Sequence, residues 1–163
     1  WETVRQKAQN NIDINGLDHV TLFPFGLSDH DANLPFHPPE NNNLGVGMFV
    51  DDATQNTLFL KVRKGDDVVR EHDIHPTLLK MDIEGHEKKA LTGLHDTLRR
   101  YKPDVIFEYS AGSRTDLGNL AVLHELFGDD YSFQGIKRSR EYPVLESFNP
   151  AKKYENVLAT VAP

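Results

Sequence analysis

The sequence predicts an α/β domain, with a mostly parallel sheet flanked by helices. Two patterns and the composition carry this expectation. Short apolar runs of strand character alternate with segments of helical periodicity, the signature of a sheet with helices on its faces. The run Leu78 to Met81 ends in the acidic pair Asp82 and Glu84 and passes through Gly85 straight into a helix-forming segment. The chain has 163 residues, 38% of them hydrophobic, with 11 Gly and 9 Pro spread along it. That is enough for a single domain with its own core, over residues 1–163.

Trp1, Val4, Ala8 and Ile12 recur on one helical face, and Asn15-Gly16 supplies a helix stop. His19 to Leu27 reads as a strand with Pro24 at an irregular spot or an edge. Ser28-Asp29-His30-Asp31 is a turn cluster, and Ala32 to His37 is a short strand that stops at Pro38-Pro39. Glu40 to Met48, with three consecutive Asn and two Gly, is a loop. Asn56 to Arg63 alternates as a strand, Lys64 to Asp67 turns the chain, and Val68 to Glu71 forms a helical turn. Thr77 to Ile83 is the central strand. The helix from His86 to Tyr101 buries Ala90, Leu91, Leu94, Leu98 and Tyr101, and Lys102-Pro103 ends it. Asp104 to Tyr109 is a further buried strand, and Ala111 to Thr115 is a polar loop. Asp116 caps a helix to Phe127, stopped by Gly128. Tyr131 to Ile136 and Asn156 to Val161 are the last strands, joined by a charged loop. An antiparallel pair closing the sheet is an ordinary variation.

Composition excludes several functions. The net charge of −7 argues against a nonspecific nucleic-acid binder, which needs a basic footprint. No apolar run reaches membrane-spanning length, so no membrane partner is expected. The absence of Cys removes thiol and disulfide chemistry and fits a cytoplasmic protein. The chain opens in helical pattern at Trp1 without a Met, as an excised piece of a longer chain would.

The chemistry concentrates at Asp82, Glu84 and His86. Alternate side chains of a strand share a face, so the two carboxylates point the same way about 7 Å apart. They then stand at the carboxyl edge of the sheet, where open α/β folds bind ligands. Buried acids need partners or a task. Asp82 and Glu84 either orient a ligand hydroxyl and take its proton, or cap the following helix. His86 is a candidate base by type, or simply polar surface. Glu87 reads as a helix-start charge. Glu108 ends the next strand and either lines the same cleft or pairs with Lys80 or Arg114. A divalent metal on Asp82, Glu84, Glu108 and His86 is a weaker reading, since no tight ligand spacing accompanies them.

The stretch Leu79-Lys80-Met81-Asp82-Ile83-Glu84-Gly85-His86-Glu87 resembles the signature of FkbM-type methyltransferases. Asn11 to Gly16 and Gly26-Leu27-Ser28-Asp29 before it, and the unit from Leu91-Thr92-Gly93-Leu94 through Lys102-Pro103 to Phe107-Glu108 after it, resemble further segments of the family in matching order. The resemblance covers roughly residues 1–110 and implies a class I, Rossmann-like fold. It further implies S-adenosylmethionine as cofactor and methylation of a hydroxyl on a sugar, a polyketide or another small molecule. In that fold Ser28 and Asp29 meet the adenine ring, although an Asx-type turn explains them equally. Asp82, Glu84 and His86 face the acceptor.

The family also has an early strand, a glycine-rich loop and an acid-tipped second strand. This sequence lacks them, and Gly45-Val46-Gly47 stands in the wrong place to replace them. The resemblance therefore implies that the chain is the C-terminal portion of a longer domain, holding the acceptor side and part of the adenine side. A sheet without those strands exposes an edge, which favours self-association. A noncatalytic module that pairs through this edge is the alternative reading, and a metal-dependent hydrolase is a third.

Overall fold

A computed structural model describes residues 1–39, 46–109, 111–139 and 142–161. The chain runs through two sheets. Helix α1 (Glu2–Ile14) ends at Asn15 and Gly16, the glycine adopting a φ of +62°. Its apolar side lies on the first sheet, with the Trp1 ring 6.1 Å from Phe36. That sheet comprises β1 (Gly26–Ser28), β2 (Ala32–His37), β3 (Met48–Phe49) and β4 (Leu58–Lys64), in the order β1-β4-β2-β3. Only β1 and β4 run parallel. The strand expected from His19 to Leu27 shrinks to Gly26–Ser28, two residues of that window and the first of the expected turn, because Pro24 has no N–H to give a ladder. The loop expected over Glu40 to Met48 falls mostly on residues 40–45, outside the described residues.

Helix α2 (Gly65–Glu71) begins where a turn was expected. Asp66 explains why. Its buried carboxylate accepts hydrogen bonds from the Thr97 amide (2.8 Å), the Thr97 hydroxyl (2.7 Å) and the Asp96 amide (3.1 Å). These are first-turn amides of a later helix, α4 (His95–Tyr101), so Asp66 caps that helix and fixes α2 against it.

The second sheet holds β5 (Leu78–Met81), β6 (Asp104–Glu108), β7 (Tyr131–Lys137), β8 (Val144–Ser147) and β9 (Asn156–Val161), in the order β5-β6-β9-β7-β8. Here only β5 and β6 are parallel. The expectation of one mostly parallel sheet is thus corrected to two mixed sheets in which antiparallel pairs predominate. Parallel neighbours need a long crossover. The β5–β6 connection provides one, through α3 (Glu87–Gly93) and α4. The direct connections β7–β8 and β8–β9 do not.

A second correction concerns position. Strand β5 lies at the edge of its sheet rather than at the centre, and among the described residues its outer side pairs with nothing. The helix expected over His86 to Tyr101 is interrupted at Leu94, although its inner face is as expected: Leu91, Leu94 and Leu98 are buried at 0–1% exposure. The polar loop expected at Ala111 is instead helix α5 (Ala111–Leu117). The following helix, α6 (Leu120–Phe127), is capped by Asn119 rather than Asp116, with the Ala121 amide donating to Asn119 Oδ1 at 2.9 Å. Gly128, at φ +95°, stops it.

One face of the second sheet presents Val105, Phe107, Val157 and Ala159 to the helices, and these with Leu91, Leu98 and Phe127 make the core. No described helix is long and apolar enough to cross a membrane.

Candidate functional site

The β5–α3 turn is the centre of the site. Strand β5 stops at Met81, so Asp82 and Glu84 do not share a strand face. Glu84 and Gly85 take left-handed conformations, at φ +52° and +93°, and reverse the chain into α3. A left-handed non-glycine residue is costly, and it persists where surrounding contacts over-determine it. Glu87 supplies such a contact. It is fully buried, and its Oε1 accepts the Ile83 amide at 3.0 Å, closing the turn. Its Oε2 is buried without a hydrogen-bond partner among the described residues.

The residues singled out from the sequence fall into two groups on either side of this turn. Ser28, Asp29 and His86 come together. His86 is 6% exposed, its Nε2 lies 3.1 Å from Ser28 Oγ, and its ring centroid is 4.6 Å from that of Phe49. The Ser28 hydroxyl donates to Asp29 Oδ1 at 3.0 Å, and Nδ1 of His30 reaches the same oxygen at 2.7 Å. Ser28 has one hydrogen to give, and it goes to Asp29. The Nε2 of His86 must therefore be the donor to Ser28, which assigns the tautomer. Burial, then the charge of Lys89, brings the His86 pKa down to about 4 and keeps the ring neutral at neutral pH. Burial pushes the Asp29 carboxyl up, but hydrogen bonds from His30 and Ser28 outweigh it and hold it below the usual range.

The second group is acidic. Asp82 is 62% exposed, with Lys80 Nζ 3.4 Å away. Glu84 is half-buried, and Glu108 joins this group from the end of β6. Burial raises the Glu108 pKa first, and the negative charges of Glu84, Asp82 and Glu87 raise it further against the opposing Lys80. Its Oε2 is buried and unpartnered among the described residues, as is Oδ1 of Asn156, the residue opposite it in the β6–β9 register. Arg114 lies over the Tyr109 ring instead, 5.7 Å from its centroid. Glu108 was the weaker candidate on sequence because its burial depends on strand neighbours 48 residues away in the chain, from Glu108 to Asn156. Among the described residues no group of three or more His, Asp or Glu side chains is placed to hold a metal ion.

On the His86 side the turn borders a cleft of about 360 Å³, lined in part by Pro35, Phe49, Gly85, His86, Lys88 and Lys89. Cavities of about 460 Å³ beneath α1 and about 240 Å³ between α2 and α4 lie away from the turn.

Residues 4–133 match the model of the family described as "Methyltransferase FkbM domain". The chain belongs to this family. The resemblance read from Leu79 to Glu87 is thereby borne out. This FkbM methyltransferase domain is 30% identical over 95 residues to the hexuronic acid methyltransferase AglP of Haloferax volcanii, an alignment covering 56% of this chain and 38% of the relative. Its fold is similar to the crystal structure of an FkbM methyltransferase from Methylobacillus flagellatus, with a TM-score of 0.58 at 21% identity, over 98% of this chain and 33% of that one. The chain thus spans 38% of the length of the one protein and 33% of the other.

Proposed function

We propose that the protein carrying this chain is an S-adenosylmethionine-dependent methyltransferase that modifies a hydroxyl oxygen. The acceptor is a sugar, a polyketide or another small molecule, and the AglP relative, a hexuronic acid methyltransferase, puts an acidic sugar first among these. Family membership supports the reaction class. One structural observation carries the chemistry: the carboxylate of Glu108, lifted in pKa by burial and by neighbouring acids, has a buried oxygen without a partner among the described residues.

Bound S-adenosylmethionine supplies an electrophilic methyl on its sulfonium. Ser28 and Asp29 fit the adenine side, because the Asp29 side chain is 36% exposed and keeps its acceptor oxygens within reach of a ligand amine. Glu108 takes the acceptor hydroxyl's proton, a task suited to a carboxylate with a raised pKa. Asn156 Oδ1 accepts from a neighbouring hydroxyl and fixes the ring. Asp82 and Glu84 keep the edge negative and help orient those hydroxyls. His86, neutral and committed to Ser28, positions the adenine side. Positioning carries much of the rate in such a transfer.

The test uses methyl-labelled S-adenosylmethionine, a panel of hydroxylated acceptors, and the protein that carries this chain. Label should appear as a base-stable ether, and Glu108→Gln should lower turnover by about 10²–10⁴. Base-labile label, or unchanged turnover in a folded Glu108→Gln protein, would overturn the reading. The open side of β5 supports a second reading, a module that associates through this edge. A concentration-independent monomer in light scattering would count against it.

A further inference from the structure

Tyr109, at the carboxyl end of β6, has a hydroxyl with nothing to bond. The residue is 1% exposed, and its phenol oxygen is buried without a hydrogen-bond partner among the described residues. Buried tyrosine hydroxyls ordinarily find a partner. The other two buried tyrosines do. The Tyr131 hydroxyl donates to the Pro103 carbonyl at 2.8 Å, and the Tyr154 hydroxyl donates to Glu146 at 3.0 Å. The Tyr109 ring is held in place, edge-on to Phe148 with centroids 5.2 Å apart, and its amide donates to the Glu155 carbonyl at 2.9 Å. The hydroxyl therefore points in a set direction, toward Gly118. A Cβ added to that glycine would stand 3.3 Å from the phenol oxygen.

Tyr109 and Gly118 border a cleft of about 320 Å³, together with Arg114, Thr115 and Pro150. Among the described residues that line it, Arg114 is the only charged one, so no carboxylate of the wall offsets it. Arg114 is half-buried and lies over the Tyr109 ring. Among the described residues no oxygen accepts from its guanidinium. Arg5, Arg63, Arg70, Arg99 and Arg138 each have a carboxylate or carbonyl oxygen as hydrogen-bond or ion-pair partner. Arg100 has none either, but it is exposed and water serves it. A half-buried guanidinium and a buried hydroxyl, both donors in want of an acceptor, thus meet at one cleft.

We propose that this cleft binds the carboxylate of a small ligand, with the Arg114 fork on its two oxygens and the Tyr109 hydroxyl donating to one of them. A guanidinium fork matches carboxylate geometry, and one cation matches its single charge. A phosphate dianion would leave charge uncompensated. The Thr115 hydroxyl, exposed at the rim, adds a donor, and Pro150 gives ligand carbons an apolar wall. Gly118 leaves room for the ligand, since a side chain there would cover the phenol oxygen. The volume lies in the range of small-ligand pockets. The proposal goes beyond the methyltransferase reading and does not depend on it.

The experiment titrates the intact chain with sodium propionate and with propionamide, its neutral counterpart of similar shape, at constant ionic strength. Amide and tyrosine ring resonances are followed by NMR. Propionate should shift Tyr109, Arg114, Thr115 and Gly118 and bind at least tenfold more tightly than propionamide. Arg114→Gln should abolish that preference. Arg100→Gln removes the arginine that lies over the Tyr101 ring and should leave the preference intact. Tyr109→Phe keeps the ring and deletes the hydroxyl. It should weaken propionate about tenfold, yet leave the melting temperature of the free chain unchanged or higher, because no internal hydrogen bond is lost. Equal affinity for the two probes, no binding of either, or a preference that survives Arg114→Gln would overturn the proposal. So would tighter binding of inorganic phosphate than of propionate, or a lower melting temperature in Tyr109→Phe, which would give the hydroxyl a structural partner. In the protein that carries this chain, displacement of propionate by S-adenosylhomocysteine assigns the site to the cofactor's carboxylate, and persistence assigns it to a second ligand. Either result upholds the carboxylate site.

Discussion

Nε2 of His86 donates to Oγ of Ser28 across 3.1 Å, joining the β5–α3 turn to the end of β1 over 58 residues of sequence. This bond ties the acidic edge to the first sheet, since His86 directly precedes α3 and Ser28 ends β1. Ser28→Ala leaves the buried imidazole N–H without an acceptor. The expected loss is about 1–3 kcal/mol in urea denaturation. A change within error would mean that water reaches the imidazole.

The same ring makes stability depend on pH. The pKa of His86 is about 4 in the folded protein against an ordinary 6.5. Between these values the unfolded chain binds a proton that the folded one does not, so stability rises with pH. The contribution is complete above pH 6.5 and is lost as the pH falls toward 4. Thermal melting of the wild type should therefore drop between pH 7 and 5 by more than that of His86→Gln. Parallel melting curves for the two proteins would remove His86 from the acid response.

Gly93 is a second link between the same elements. A Cβ added there would collide with the carbonyl oxygen and carbon of Ser28, both backbone atoms that cannot rotate away. Gly93→Ala should cost about 3 kcal/mol, the upper part of the usual overpacking range. It should also perturb the Ser28 and Asp29 amides in NMR spectra. A variant with unchanged stability would mean that α3 slides freely along β1.

What the sequence revealed and what it hid divide along one physical line. The apolar runs gave β6, β7 and β9 nearly to the residue, because burial of Val105, Phe107, Tyr131, Phe133 and Val157 is written into alternation. Ala32 to His37 was legible because Pro38 bounds it. Pairing partners were not legible. Nothing local states that β9 inserts between β6 and β7, and that insertion leaves β5 at an edge and places Asn156 opposite Glu108. The left-handed turn at Glu84 was equally hidden, since its restraint comes from Glu87 four positions after Ile83 and from the helix that buries it. The cluster Asp82, Glu84 and His86 was visible as chemistry, yet its division between two sides of one turn appears only in three dimensions.

Glu108 should show the opposing demands of stability and function. Its carboxyl is raised above its ordinary value of 4.5, so the folded state holds its proton more tightly than the unfolded chain does. Once the pH exceeds 4.5 the unfolded form ionises more readily, and the folded state is disfavoured by a charge among charges. Glu108→Gln should therefore raise the urea midpoint at pH 7, and the difference should vanish below pH 4. The same variant should lose methyl transfer in the protein that carries this chain. A destabilised Glu108→Gln protein at pH 7 would instead mark the carboxylate as a structural acceptor.

S-adenosylmethionine should bind the 163-residue chain only weakly. In the proposed reading its adenine side would meet Ser28 and Asp29, which are hydrogen-bonded to His86 and His30. Its ribose and methionine ends need close backbone approach and a carboxylate partner of the kind a glycine-rich strand–loop–helix provides. No such segment occurs among the described elements, where the first helix is followed by the three-residue strand β1. A ligand that keeps one end of its contacts still loses its full translational and rotational freedom on binding, so partial contact forfeits most of the affinity. Calorimetry on the chain should give no saturation at micromolar cofactor. Shifts at high concentration should centre on Ser28, Asp29 and His86, and Asp29→Ala should remove them. Tight, saturable binding would show that the carboxyl edges of β1 and β5 hold the whole cofactor by themselves, with Glu87 and Glu108 supplying the carboxylates.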